Sequence, residues 1–166
     1  MEVQEILEAV ENSHIFQQWK KKYPTAFLSF LFAAIDQQQR EWQVGFYDEK
    51  EDAVTTFQLG EEIILIPPEK VFKAPGSKVL ELHLEKVKVD LASCLEKVAI
   101  LQKLKYPLEI PIKRIAILQH LDMGQVYNVT YITQTFKTLN VKVDAATEEI
   151  LQDQLISIIQ PPGGKQ

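Results

Sequence analysis

The sequence predicts an α+β protein built from two tandem units, each a helix followed by an antiparallel sheet. Three observations lead there. Two segments with helical spacing both end at a Tyr-Pro step, each is followed by runs of period-two alternation, and the landmarks of the first half recur in the second in the same order. Tyr23-Pro24 corresponds to Tyr106-Pro107 at an offset of 83, and Trp42-Gln43-Val44-Gly45-Phe46 to Tyr127-Asn128-Val129-Thr130-Tyr131 at 85. Glu61-Glu62-Ile63-Ile64 corresponds to Glu148-Glu149-Ile150-Leu151 at 87, a drift in one direction that short loop insertions would produce. The reading gives a first unit over residues 1–66, a linker over 67–77, a second unit over 78–159 and a flexible tail over 160–166.

Taken in order, Val3, Ile6, Leu7 and Val10 share one helix face, and Ile15, Phe16 and Trp19 share a rotated one. A break is expected at Asn12-Ser13, with Ser13 as the N-cap of the second segment. Lys20, Lys21 and Lys22 complement the negative end of a helix dipole, and Pro24 biases its predecessor toward extended backbone, so the helix should stop near Tyr23. Residues 26–35 are apolar on both alternating faces, as in a strand covered twice. Trp42, Val44 and Phe46 alternate with Gln43, Gly45 and Tyr47, and the charged run 48–52 reads as a hairpin tip before a strand over 54–59. A short strand over 61–66 should end at Pro67-Pro68.

Leu80, Leu82 and Leu84 alternate with Glu81, His83 and Glu85 in an extended lead-in. Asp90 is the expected N-cap of a helix with Leu91, Cys94, Leu95, Val98 and Leu101 on one face. Strands follow over 112–121, 126–132 and 138–143, the last with Leu139, Val141 and Val143 facing the core and Asn140 and Lys142 facing water.

Composition narrows the function classes. Of 166 residues 46% are apolar and 25% charged, enough for a substantial core. The formal charge of -5 argues against nucleic acid, whose phosphates require clustered cations. The longest apolar run is about half the ~20 residues that span a bilayer, so no membrane span is expected. The single Cys94 has no partner for a disulfide or a CxxC motif, and the acidic, amphipathic N-terminus does not read as a secretion signal; both favour a cytoplasmic location.

Residues 87–151 resemble a PepSY-like domain, the module of peptidase propeptides and related proteins. The resemblance is carried by Lys88-Val89-Asp90-Leu91 opening the helix, Tyr106-Pro107 closing it, the strand Val126-Tyr127-Asn128-Val129, and Val143-Asp144-Ala145-Ala146-Thr147-Glu148-Glu149-Ile150. The first half matches only through the internal repeat. In the family a glycine commonly follows the threonine of the last stretch; Glu148 stands there in this chain, so either the turn differs from the family's or Glu holds a positive φ at a strain cost that Gly would not carry. The resemblance implies a PepSY-like or cystatin-like scaffold and a binding or inhibitory module, and it supplies no catalytic residue.

No chemistry-bearing constellation stands out. His14, His83 and His120 lack the spacing that sets two imidazoles on one helix face, and no GxSxG or Gly-rich phosphate loop is present. The run 48–52 lacks the glycine and distal glutamate of a calcium loop. Cys94 shares its face with Leu91, Leu95 and Val98 and reads as a buried, inert thiol. No catalytic residue, metal ligand or cofactor site is therefore assigned. Trp42, Phe46, Tyr127 and Tyr131 fall on the helix-covered face, where they fill a core or line a pocket. Gln43, Tyr47, Asn128 and Thr130 fall on the opposite face as a polar contact surface.

The expected role is a non-catalytic binding or regulatory module that engages a polypeptide or another copy of itself, homodimerisation included, through sheet faces or strand edges. The alternative is a small-molecule binder or enzyme with an apolar pocket under the helix, either cone-shaped or of the hot-dog type with one sheet wrapped on a helix over 90–105.

Overall fold

The computed structural model describes residues 2–36, 39–70 and 76–159. Helix α1 (Glu2–Glu11) leads into α2 (His14–Lys22), and strands β1 (Phe27–Ile35), β2 (Arg40–Asp48), β3 (Ala53–Gln58) and β4 (Ile64–Lys70) follow. A short 3-10 turn (Leu84–Lys86) precedes α3 (Leu91–Lys105), and then come β5 (Pro111–Leu121), β6 (Gly124–Thr133), β7 (Lys137–Asp144) and β8 (Ile150–Ser157). All eight strands lie in one antiparallel sheet in the order β4-β3-β2-β1-β5-β6-β7-β8.

The helical period ends where local chemistry dictates. Ser13 Oγ accepts from Phe16 N–H at 3.3 Å and donates to Val10 C=O at 2.6 Å, so one hydroxyl closes α1 and caps α2. Such a cap is worth about 1 kcal/mol. Tyr23 and Tyr106 both leave the helix with extended φ, and their N–H groups bond to Trp19 C=O and Gln102 C=O. Asp90 occupies the N-cap position of α3 but makes no side-chain capping bond, unlike the expected cap. Ile15, assigned to the buried face, is exposed.

The helices cover a single face of the sheet. Val3, Val10, Phe16 and Trp19 from α1 and α2, and Leu91, Cys94, Leu95 and Val98 from α3, join one core with alternate residues of the strands. Leu31, Ala33, Trp42, Val44, Phe46 and Phe57 supply it from β1, β2 and β3. Ala116, Leu118, Tyr127, Val129, Tyr131, Leu139, Val141 and Val143 supply it from β5, β6 and β7.

Two expectations change here. Separate sheets for the two halves are replaced by one continuous sheet, because β1 and β5 pair antiparallel with Leu31 opposite Leu118 and Ala33 opposite Ala116. The strand expected to be covered twice is covered once: Phe30, Phe32 and Ala34 stay half-buried on the open face, shielded laterally by their neighbours in the centre of the sheet.

Pro67 and Pro68 do not end the fourth strand. β4 runs through them to Lys70, since an edge strand can spare the missing N–H and the β3·β4 register shifts between Val54 and Thr56, opposite the proline pair. The linker expected from residue 67 thus starts later, while residues 71–75 of it and the tail 160–166 lie outside the described residues. The lead-in 80–85 is not a strand. It crosses the strand ends, with Leu82 N–H bonding to Leu28 C=O at 2.9 Å and the Gln125 side chain bonding both backbone groups of His83.

Gly45 is set by packing. A Cβ there would overlap the Phe30 ring, which lies across it on the open face. Gly45→Ala is expected to cost about 1–3 kcal/mol through overpacking. Phe30→Ala in the same chain should return most of that loss, and urea denaturation of the two variants and the double variant checks it.

Candidate functional site

The four aromatics of the covered face are all buried. Phe46 packs against Phe16 with ring centroids 4.9 Å apart and against Trp19 at 5.5 Å, and Phe57 closes the cluster edge-on. In the second half the hydroxyl of Tyr127 donates to Val89 C=O at 2.7 Å, and burial raises the pKa of both Tyr127 and Tyr131. These side chains pack as core, Tyr127 with its polar tip paired as buried tyrosines require.

The open face is laid out differently from the polar surface expected there. Its centre is apolar: Phe30, Phe32, Ile115 and Ile117 of β1 and β5 are half-buried and face away from the helices. Gln43 flanks them on β2 and lines a cleft of about 320 Å³ with Phe30, Thr56 and Ile66. Asn128 and Thr130 flank them on β6, where Asn140 Nδ2 donates to Asn128 Oδ1 at 2.6 Å and to Thr130 Oγ1 at 2.9 Å. Lys142 Nζ in turn donates to Asn140 Oδ1 at 2.9 Å. Tyr47 is the exception among the expected contact residues. It is buried, its ring stands edge-on to Phe27, its hydroxyl donates to Asp52, and residues 76–79 run beside it. The structure therefore places Gln43 on one side and Asn128 and Thr130 on the other, separated by the two central strands.

Residues that sequence reading passed over form polar anchors. Glu109 is buried, and its carboxylate accepts from Thr133 Oγ1 at 2.8 Å, from Thr135 Oγ1 and from Lys137 Nζ at 3.4 Å. The hydrogen bond from Thr135, with those from Thr133 and Lys137, holds its carboxyl below the ordinary value against the opposing effect of burial. A carboxylate so bound stays ionised and fastens the loop after α3 to the β6–β7 hairpin; it has no proton to give at neutral pH. On the adjoining edge strand, Asp153 of β8 accepts from Lys105 Nζ at 2.7 Å and from the Tyr106 hydroxyl, which lowers its pKa and ties the end of α3 to the sheet edge.

His83 and His120 come together with ring centroids 6.4 Å apart, a meeting that their separation in the chain does not announce. His120 Nδ1 bonds to Glu81 C=O at 2.7 Å. Among the described residues no group of three His, Cys, Asp or Glu side chains converges as a metal centre requires. In the β2–β3 hairpin Asp48 accepts from Glu51 N–H within the turn and from Thr25 Oγ1 outside it.

Cys94 is fully buried, and burial with the nearby Glu148 charge pushes its thiol up to about 12. It stays protonated, which is the condition of an unreactive cysteine. Glu148 holds the left-handed backbone at φ 66° where the resemblance would place a glycine, and its carboxylate accepts from Ser93 Oγ at the start of α3.

Among solved structures, the chain is similar to the crystal structure of a protein from Clostridium difficile 630 that carries a provisional lipoprotein name. The TM-score is 0.55 at 14% identity, over 85% of this chain and 90% of that one. At that identity the likeness is one of fold. No family model and no curated protein matches the chain.

Glu109 gives a pH-dependent prediction. Because its folded pKa lies below the unfolded one, its charge contributes stability above the ordinary carboxylate pKa of about 4.3, and that contribution is lost as pH falls through the folded value. Glu109→Gln should thus destabilise most at neutral pH, with the gap from the unaltered chain closing in acid. Urea denaturation at the two extremes measures it. Cys94 should in turn resist a thiol reagent in the native chain and react at once on unfolding.

Proposed function

We propose that this chain is a non-catalytic binding module of PepSY-like character, built from a tandemly repeated helix-plus-four-strand unit, which engages a polypeptide through its sheet. The duplication is supported by register. Leu31 pairs with Val44 and Ala116 with Val129, so both members move by 85 positions, from 31 to 116 and from 44 to 129. The same step carries Ala33↔Trp42 onto Leu118↔Tyr127. It also turns the central pair Leu31↔Leu118 into Ala33↔Ala116, as a local two-fold axis between Phe32 and Ile117 requires. The matching exits of α2 at Tyr23 and of α3 at Tyr106 add to this.

One observation carries the binding role. The covered face packs against the helices as one core, and among the described residues every buried side-chain nitrogen or oxygen has a hydrogen-bond partner, while the open face offers half-buried Phe30, Phe32, Ile115 and Ile117 between amide and hydroxyl flanks. An apolar centre with a polar margin is the usual anatomy of a protein contact surface, whereas catalysis needs converging groups with unspent hydrogen-bonding capacity.

Pull-down from native lysate with the unaltered chain and with a Phe32→Ser, Ile117→Ser double variant tests the proposal. The expected result is a polypeptide captured by the first and lost from the second at unchanged circular dichroism. An intrinsic turnover activity abolished by single substitutions would defeat the reading.

A further inference from the structure

The two edges of the sheet are not alike. β4 carries Pro67 and Pro68, a register irregularity and the charged pair Glu69 and Lys70, all devices that keep another strand from adding. β8, with the sequence ILQDQLIS, has no proline, no glycine and no lysine. Its one charge, Asp153, is drawn to the helix side by Lys105 at 2.7 Å and by Tyr106. Leu151, Ile156, Ile158 and Ile159 are exposed along this edge and just beyond it, with Phe136 alongside.

The backbone phase of this edge is legible. Ile158 N–H bonds inward to Phe136 C=O at 2.9 Å, in register with Lys137↔Ser157 and Thr138↔Ile156. In an antiparallel ladder the direction of the amides alternates, so the N–H and C=O of Ser157, Leu155 and Asp153 point away from β7. No strand among the described residues pairs with that side.

We propose that β8 is a homotypic docking edge, along which two copies of this chain join antiparallel across a two-fold axis with Leu155 opposite its counterpart. The proposal deepens the binding role given above and rests on it, naming the partner as a second copy. Charge and register select that partner. Outward-pointing residues must face outward-pointing residues, which restricts the axis to a few positions along the strand. Centring it on Asp153 would set two carboxylates opposite each other, a destabilising pair. Centring it on Leu155 pairs Asp153 with Ser157, Gln154 with Ile156 and Leu151 with Ile159, so apolar side chains meet apolar ones at the strand ends and at the axis. With Asp153 already countered by Lys105, the approach of two acidic chains along this edge meets little repulsion. The β1·β5 junction inside the chain is the same kind of join, two strands meeting antiparallel edge to edge.

Sedimentation equilibrium of the full chain over a wide concentration range tests the proposal. The expected result is twice the chain mass, with conversion to monomer in Ser157→Pro, whose missing N–H is one that points away from β7, so the internal ladder is kept. Should Ser157→Pro lose its fold by circular dichroism, Gln154→Lys, which places a charge beside the axis, serves in its place with the same expected loss. Oxidation of a mixture of Gln154→Cys and Ile156→Cys chains should yield a cross-linked heterodimer, since directly opposed residues of a non-hydrogen-bonded pair lie about 4.5 Å apart at Cα. A monomer at every concentration overturns the inference while the open-face capture experiment still decides the binding role. A dimer that survives the edge variants but is lost in the Phe32→Ser, Ile117→Ser chain overturns it too, and moves the self-contact to the open face.

Discussion

The antiparallel pairing of β1 with β5 is the contact on which the rest of the molecule depends. Each of these strands would otherwise be the exposed edge of a four-stranded sheet, with a row of unmet N–H and C=O groups flanked by Phe30, Phe32, Ile115 and Ile117. Joining them satisfies both edges at once. It also merges the aliphatic residues Leu31, Ala33, Ala116 and Leu118 into the middle of one core that runs from Phe57 to Val143. Small residues at Ala33 and Ala116 face each other across this seam and leave room for larger neighbours.

Because the seam is central, the helices need to cover only one face. α1 and α2 take the first half and α3 the second, and the chain passes between the halves through residues 81–89 along the strand ends. Backbone bonds from Leu82 to Leu28 and from Lys88 and Val89 to Ala145 fix that crossing at both halves. The polar anchors Glu109 and Asp153 fasten the exit of α3 to the sheet at two points, so α3 is held by its C-terminal end as well as by its buried face. A chain arranged in this way leaves one sheet face and two edges for contact with other molecules, and the edges differ: one is guarded by proline and charge, the other is bare.

Much of the element list was legible because it follows from local rules. Helical spacing with Ser13 as a break, the Tyr-Pro exits and the alternation in residues 126–143 all act within a few positions of the chain. Whether Glu148 keeps the left-handed turn or changes it stayed open in the sequence, since a side chain there adds strain that glycine avoids; the folded chain keeps it. β8 was harder to read as a strand: at the edge its exposed residues lose the clean alternation that burial imposes, and Leu151 and Ile156 are as open as the polar residues beside them. β4 was cut short by its prolines because the rule against proline in strands holds for central positions and not for edges.

The amino-acid order alone was enough to set the α+β class, the buried identity of Trp42, Phe46, Tyr127 and Tyr131, and the inert environment of Cys94, since each rests on periodicity along a single element. The joining of β1 to β5, the burial of Tyr47 beside residues 76–79, the meeting of His83 with His120 and the hydrogen-bonded pocket of Glu109 emerge only when the chain is folded. Each brings together groups from separate elements, and no spacing rule within one strand or helix reports which edge will meet which.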